Sequence, residues 1–193
     1  MLSLVSCCPE AFLSILVCET LQDDEIVILR GCKRFVDYTG YLDSFAYQGP
    51  FHELNPSYIQ EILVMDACFN GQFMRVNVDR DLGKAWAAFE KSKNEIIVTG
   101  NWGCGIFGGD PIFKFLQQMC AVMILGDRFK RLDYSVYGNE NLANKLRKIS
   151  EDLEKNEKNV ADIYQMMLQY KQYNPMNSTS LDFSKYFDQW LNK

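Results

Sequence analysis

Five glycines lie within the ten residues 100–109, a density that costs conformational entropy on folding and therefore needs a physical reason. Glycine allows successive backbone N–H groups to point into one concavity, and such a concavity binds phosphate oxygens. A helix that begins directly after the segment would add a partial positive charge. The chemistry open to these residues is therefore anion binding through main-chain amides, without any need for basic side chains.

The elements on either side of the glycine segment favour a strand–loop–helix arrangement. Glu95–Thr99 is a β-branched run typical of a buried strand. Asp110 and Pro111 have the residue types of a helix N-cap and first helical position, and Gly126 is the predicted stop. The apolar face of this helix is predicted to comprise Ile112, Phe115, Leu116, Met119, Cys120 and Met123.

Two interpretations of the glycine segment stay open on these patterns alone. In the first, the loop cradles a phosphate group and Phe107 packs on a ribose or a base. In the second, the loop is a strained turn that merely packs the strand against the helix. The segment is not a Walker loop, because no Gly-Lys-Ser/Thr follows, and its spacing differs from the dinucleotide-binding fingerprint.

Residues 99–110 read TGNWGCGIFGGD and resemble the diphosphate-binding loop of the poly(ADP-ribose) glycohydrolase family, usually written TGNWGCGAFGGD. One position departs: Ile106 stands where the family has alanine, and its β-branched side chain is expected to stiffen the loop and narrow the site. The resemblance implies that substrate is bound by Asn101, Gly103, Gly105, Ile106 and Phe107.

Two tyrosines match aromatic positions of the same family. Tyr41 ends a Tyr-Thr-Gly-Tyr segment that resembles the family's own, which implies that Tyr41 folds over bound ADP-ribose. Without the family, Tyr41 would be interpreted as a packing residue after a turn. Tyr137 stands where the family's YFTFGD strand has a phenylalanine that lies against the adenine, and tyrosine keeps that ring face.

The resemblance extends from about Pro9 to about Tyr170. It implies an α/β fold, a partial macrodomain-like three-layer α/β/α sandwich with a mixed sheet and C-terminal helices. The family's enzymes hydrolyse the ribose–ribose O-glycosidic bonds of poly(ADP-ribose) and release ADP-ribose, with no cofactor or metal. The implied partner is poly(ADP-ribose) or ADP-ribose, the implied process is the DNA damage response, and the implied location is the nucleus or cytoplasm.

The family's acid–base chemistry depends on a glutamate pair in a Gly-Gly-Gly…Gln-Glu-Glu signature. The sequence contains neither half of that signature, and the family's spacing places the pair at about Met1 and Leu2. No catalytic residue is therefore predicted in this chain. Three interpretations stay open: a glycohydrolase relative whose sequence lacks its catalytic segment, a non-catalytic binder of ADP-ribose, and a vestigial fragment that binds nothing.

Composition excludes several other functions. The net charge of −5 argues against a general nucleic-acid-binding surface, and no apolar run approaches membrane-spanning length. Seven cysteines without a Cys-x-x-Cys pair indicate reduced thiols, as in the cytosol or nucleus. With His52 as the single histidine, a zinc site is not expected. The length suits one domain over residues 1–193.

The remaining patterns predict further elements. A first helix is expected from Pro9 to about Leu21, with the apolar face Phe12, Leu13, Leu16, Val17 and Leu21. Strands are expected at Glu25–Arg30, within Phe35–Tyr41 and at Leu132–Gly138, whereas Ile62–Ala67 fits a strand or a helix end. Residues 49–56 and 174–180 are expected to be loops.

Helices make up the rest of the expected structure. Arg80–Phe89 is predicted to be helical, with Leu82, Ala85, Trp86 and Phe89 on one face. A C-terminal helix carries the stripe Leu142, Leu146, Ile149 and Leu153, and Asn159 is a predicted cap for the next helix. A short terminal helix is expected to dock through Phe183, Tyr186, Phe187 and Trp190.

Overall fold

The computed structural model describes residues 7–40, 44–52, 60–173 and 180–192. The described residues form both helices and strands, so the α/β class predicted from the sequence is confirmed. The chain divides into two compact units, Met1–Met65 and Asp66–Lys193. The described strands form three two-stranded ladders, of which two are antiparallel and one is parallel. No described helix has the length and apolar character needed to cross a membrane.

The first unit is built from short elements. A 3-10 turn at Pro9–Phe12 leads into helix α1 (Leu13–Val17). Four strands follow: β1 (Val27–Arg30), β2 (Val36–Thr39), β3 (Ala46–Pro50) and β4 (Glu61–Val64). β1 pairs with β4 and β2 pairs with β3, both antiparallel. The segment that fitted either a strand or a helix end is thus a strand over residues 61–64.

The predicted first helix is wrong in its length and in the face that it buries. α1 ends at Val17 because Cys18 has an extended backbone (φ −136°, ψ 96°). The large apolar side chains of the segment are exposed, Val17 by 89%. The small side chains of Cys7, Cys8 and Ala11 are buried instead, since they allow close approach to apolar residues of the strand region. Those partners are Leu29, Val36, Tyr38, Phe45 and Ile62.

The predicted loop over residues 49–56 is also wrong at its start. Gly49 and Pro50 are the last two residues of β3, opposite Asp37 and Val36 of β2. The register shifts at Asp37, and Gly49 has a φ of +130°, which glycine accepts readily. Proline is compatible with the end of a strand. Residues 53–56 of that prediction lie outside the described residues.

The second unit begins with α2 (Arg75–Lys91), β5 (Ile96–Gly100), α3 (Pro111–Leu125) and β6 (Arg131–Ser135). β5 and β6 are parallel neighbours, with Ile96 opposite Arg131 and Gly100 opposite Ser135. The segment β5–α3–β6 is therefore a β–α–β unit, and the strand–loop–helix arrangement predicted around the glycine segment is its first part. β6 ends earlier than expected, and Tyr137 and Gly138 beyond it have positive φ angles of 50° and 75°.

Three helices complete the second unit: α4 (Glu140–Lys155), α5 (Val160–Tyr173) and α6 (Ser180–Leu191). The α4 stripe is buried as predicted, and the side chain of Asn159 accepts hydrogen bonds from the N–H groups of Ala161 and Asp162 in the first turn of α5. Phe183 of α6 lies among aromatic rings, with centroid distances of 5.0 Å to Phe113 and 5.0 Å to Tyr170. These aromatic contacts attach α6 to the core of the unit.

The predicted apolar faces of α2 and α3 are wrong at two positions. Trp86 and Met123 are exposed, whereas the charged residues Asp81, Lys84 and Lys114 are buried. The buried surfaces of both helices are therefore partly polar, which the hydrophobic pattern does not reveal. Lys114 pairs with Asp81, and Lys84 pairs with Asp66 before α2, as burial of charge requires.

Replacing Phe183 with alanine should destabilise the protein by about 3–5 kcal/mol, because the substitution leaves a cavity in the aromatic core. The matched control is Phe69→Ala, which removes the same side chain from an exposed position. Urea unfolding followed by far-UV circular dichroism measures both. Equal unfolding midpoints for the two variants would contradict the packing of α6 described above.

Candidate functional site

The tip of the glycine loop is a turn. The N–H of Gly108 donates to the carbonyl oxygen of Gly105 at 3.0 Å and closes it. Within the part of the chain that the structure describes, the N–H groups of Gly105, Ile106 and Phe107 meet no hydrogen-bond acceptor. Three successive donors without an internal acceptor on an accessible loop are free to hydrogen-bond to water or to an anion.

The structural reasons for having glycine differ from one position of the loop to the next. A Cβ on Gly103 would lie 2.5 Å from Cβ of Ala67, and Gly103 also has a φ of +72°. A Cβ on Gly109 would lie 2.7 Å from the carbonyl oxygen of Gly103, and Gly108 has a φ of +67°. At Gly105, however, a Cβ would meet nothing within 4 Å, and φ lies outside the left-handed region. Packing thus explains Gly103 and Gly109, but neither packing nor backbone conformation explains Gly105.

The N-terminus of α3 is already occupied by a carboxylate. Asp110 is buried, and its Oδ1 accepts hydrogen bonds from the N–H groups of Ile112 and Phe113, both at 2.9 Å. Burial raises the pKa of Asp110 to about 6, against the lowering effect of these two hydrogen bonds. The predicted N-cap is confirmed, and its carboxylate offsets part of the partial positive charge at the start of α3.

Asp110 is the first of three buried polar residues spaced by four along α3. Lys114, one turn later, forms an ion pair with Asp81 of α2, and its Nζ lies 4.8 Å from the centroid of the Trp102 ring. Cε of Lys114 also lies 3.3 Å from the position that a Cβ on Gly109 would take. The aliphatic part of Lys114 therefore packs against Gly109, and its ammonium group packs against the ring of Trp102. Gln118 is the third residue of this stripe.

Asp81 and Asp66 form ion pairs with the lysine and arginine side chains around them. Asp81 accepts hydrogen bonds from the N–H of Cys68 at 3.0 Å and from Arg80 at 2.9 Å, in addition to its pair with Lys114. Asp66 pairs with Arg80 at 2.5 Å and with the buried Lys84. Partial burial would raise the pKa of Asp66, but the hydrogen bonds from Lys84 and Arg80 outweigh it and lower that pKa.

The site lacks the features of a thiol or metal centre. Cys104 lies inside the loop, and burial raises the pKa of its thiol to about 12, although Lys114 opposes the shift. The thiol is therefore protonated at neutral pH and is a poor nucleophile. Among the described residues no group of three or more His, Cys, Asp or Glu side chains could hold a metal ion. What the loop offers an incoming group is hydrogen-bond donors.

Aromatic and apolar side chains surround the donors. The ring of Phe107 meets the edge of the exposed Phe69, with centroids 5.7 Å apart. Beside them, Phe107 helps to line a cavity of about 90 Å³. Ile106 is 89% exposed, and Tyr137 is 70% exposed. Tyr137 follows β6 just as the loop follows β5, so both lie at the carboxyl end of the same parallel pair, where α/β proteins bind ligands.

Of the residues predicted to bind substrate, the glycine-loop residues and Tyr137 follow the carboxyl ends of the two paired parallel strands. The loop residues are Asn101, Gly103, Gly105, Ile106 and Phe107. Tyr41, and the positions Met1 and Leu2 that the family spacing assigned to the glutamate pair, lie outside the described residues. Sequence reasoning missed Lys114, Gln118 and Asp81. The four-residue spacing of Asp110, Lys114 and Gln118 in a mostly apolar helix was a signal that could have revealed two of them.

Removing the lysine beneath the loop should destabilise the protein. We expect Lys114→Met to cost about 3 kcal/mol, because Asp81 stays buried without its ammonium partner. The control is Lys130→Met, which breaks an exposed pair with Glu95, where Lys130 is 71% exposed and the expected cost is below about 1 kcal/mol. Urea unfolding distinguishes them, and a loss no larger for Lys114→Met than for Lys130→Met would show that the buried pair is not needed.

The raised pKa of Asp110 predicts how the free energy of unfolding depends on pH. The folded protein holds this proton more tightly than the unfolded chain, so the stability that Asp110 contributes falls as pH rises between 3.8 and about 6. Asp110→Asn keeps a capping oxygen but does not titrate. Its free energy of unfolding relative to wild type should rise by about 2–3 kcal/mol across that window. Urea unfolding on both sides of the window measures this difference, and a constant difference would be the contrary result.

Comparisons with known proteins agree on one family. A sequence model described as poly(ADP-ribose) glycohydrolase (PARG), macro domain fold, matches residues 3–144. The chain is 28% identical over 188 residues to poly(ADP-ribose) glycohydrolase 1 of Caenorhabditis elegans, covering 83% of this chain and 23% of that protein. It is 24% identical over 224 residues to probable poly(ADP-ribose) glycohydrolase 2 of Arabidopsis thaliana, covering 91% and 42%. The chain therefore spans less than half the length of either relative.

The family match covers most of the chain, including the β5–α3–β6 unit and the loop that it carries. The described elements are also those of an α/β protein with both parallel and antiparallel strand pairs. Sequence and structure thus lead to the same conclusion: the chain belongs to the poly(ADP-ribose) glycohydrolase family and has a partial macrodomain-like α/β fold.

Proposed function

We propose that this chain binds the ADP-ribose unit of poly(ADP-ribose) through the loop between β5 and α3. The observation that carries the proposal is the set of three successive N–H groups, from Gly105 to Phe107, without acceptors among the described residues. A diphosphate offers several oxygens to such a set of donors, and each hydrogen bond to a charged oxygen is stronger than a neutral one.

The electrostatics of the site suit an anion bound by backbone rather than by basic side chains. Lys114, Lys84 and Arg80 are each paired with Asp81 or Asp66 beneath the loop. Of these cations, Lys114 packs against the loop at Trp102, Gly103 and Gly109, and the exposed donors are peptide groups. An overall charge of −5 is compatible with such a site, because the attraction is local.

The aromatic side chains near the donors favour a nucleotide-like ligand over a bare phosphate. Phe107 and Phe69 form an edge-to-face pair beside the loop tip, and Tyr137 presents an exposed ring at the same end of the parallel strands. A ribose or an adenine can pack on such rings. Ile106 is 89% exposed, so its side chain has few protein neighbours. On the family resemblance alone, we propose that Tyr41 folds over the bound ligand.

We propose that this chain supplies the binding part, but not the acid–base part, of a catalytic site. Several curated relatives carry the name poly(ADP-ribose) glycohydrolase, but the printed sequence contains no Gln-Glu-Glu segment for acid–base chemistry. The chain accordingly supplies the diphosphate-binding part of a glycohydrolase site. We expect no release of ADP-ribose from the polymer by this chain acting alone, because general acid–base catalysis contributes a factor of about 10² to 10⁴.

The central test replaces the glycine that neither packing nor backbone conformation explains. Gly105→Ala should fold normally yet bind ADP-ribose about tenfold more weakly, because the added methyl group occupies the space through which a phosphate reaches the donors. Isothermal titration calorimetry measures the affinity. The control is Gly83→Ala in α2, where a Cβ also meets nothing within 4 Å and affinity should not change.

Either of two results would overturn the proposal. Wild-type protein that is folded but does not bind ADP-ribose would show that the loop is only a structural turn. Undiminished affinity of Gly105→Ala would place the ligand elsewhere on the molecule.

A further inference from the structure

We propose that Gln118 is the positioning residue of the diphosphate loop: it fixes the carbonyl group from which the loop starts, and so aims the three donors without touching the ligand. This inference rests on the proposed function of the loop. Gln118 lies in α3, two turns after Asp110, and is fully buried.

The side-chain amide of Gln118 joins α3 to the end of β5. Its Nε2 donates to the carbonyl oxygen of Gly100 at 3.2 Å, and its Oε1 accepts from the hydroxyl of Thr99 at 2.5 Å. Nε2 also lies 3.2 Å from the carbonyl oxygen of Lys114. One side chain therefore connects the last two residues before the loop with the helix that follows it.

The carbonyl group of Gly100 transmits this constraint into the loop. It also accepts a hydrogen bond from the N–H of Trp102 at 2.7 Å, which forms the first bend of the loop. Gly100 itself has little freedom to move, because a Cβ there would lie 2.8 Å from the carbonyl oxygen of Ser135 in β6. The direction in which the chain leaves β5 is thus set by Gln118 on one side and β6 on the other.

An amide suits this position. In the observed arrangement the Thr99 hydroxyl donates to Oε1 of Gln118 and the carbonyl group of Gly100 accepts from Nε2, so the two ends of one amide meet both groups. A carboxylate cannot donate, and an ammonium group cannot accept. A thioether of similar length fills the space but makes neither hydrogen bond well. Gln118→Met therefore removes the hydrogen bonds while keeping most of the packing.

The chain contains a matched control next to this residue. Gln117 is equally buried in the same helix, but its Nε2 faces the carbonyl oxygen of Val78 in α2 at 3.4 Å. Its Oε1 has no partner among the described residues. Gln117→Met makes the same chemical change on the side of α3 that faces α2, away from the loop.

The experiment compares the two methionine variants with wild type under conditions where circular dichroism shows all three to be folded. Gln118→Met should weaken ADP-ribose binding about tenfold in calorimetry, because misdirected donors lose hydrogen bonds to the phosphate oxygens. It should also speed hydrogen exchange of the Trp102 amide in the absence of ligand. Gln117→Met should change neither quantity.

Each outcome has a separate meaning. If Gln118→Met and Gln117→Met lose affinity equally, or if Gln118→Met keeps full affinity, the positioning role is refuted while the proposed function stands. If wild type does not bind ADP-ribose, the proposed function fails. The exchange rate of the Trp102 amide then tests on its own whether Gln118 holds the loop, and an unchanged rate in Gln118→Met would refute that as well.

Discussion

The buried ion pair between Lys114 and Asp81 is the constraint on which the loop depends. Lys114 comes from α3, Asp81 comes from α2, and the lysine stem lies directly under Gly103 and Gly109. A charge in that place would be costly if it were unpaired, so the two helices must keep their contact for the loop to keep its support. Gln118 adds the connection to β5, and Asp110 completes the start of α3. Three residues on one face of α3, together with their partners on α2 and β5, thus position the loop.

This arrangement is compatible with the proposed binding of a polyanion by an acidic protein. The cations near the loop are used internally by Asp66 and Asp81, and the N-terminus of α3 is capped by Asp110. In the proposed mode of binding, the donors are the peptide N–H groups of the turn that begins at Gly105. A site of this kind recognises phosphate oxygens by direction rather than by net charge, so it does not turn the whole surface into a nucleic-acid-binding face.

The sequence predicted those parts of the structure in which local signals agree with the fold. β5, the cap at Asp110 and the stop at Gly126 follow from strand composition and helix-end chemistry, and the structure confirms them. The buried charges on α2 and α3 were not predicted, because hydrophobic periodicity assigns polar residues to the surface unless a partner on another element is known. The prediction for the first helix was wrong for a related reason. Its leucines fit the apolar stripe of a helix, but in the structure the small residues Cys7, Cys8 and Ala11 contact the strands.

The most direct test of the account is a nuclear magnetic resonance titration of the labelled chain with ADP-ribose, observed at the backbone amides. The account predicts saturable shifts that are largest at Gly105, Ile106 and Phe107, whose N–H groups have no acceptor in the described structure. Smaller changes should follow at Tyr137, which lies at the same end of the parallel strands. Saturable shifts that leave these three amides unchanged, or no shifts at all from a folded protein, would contradict it.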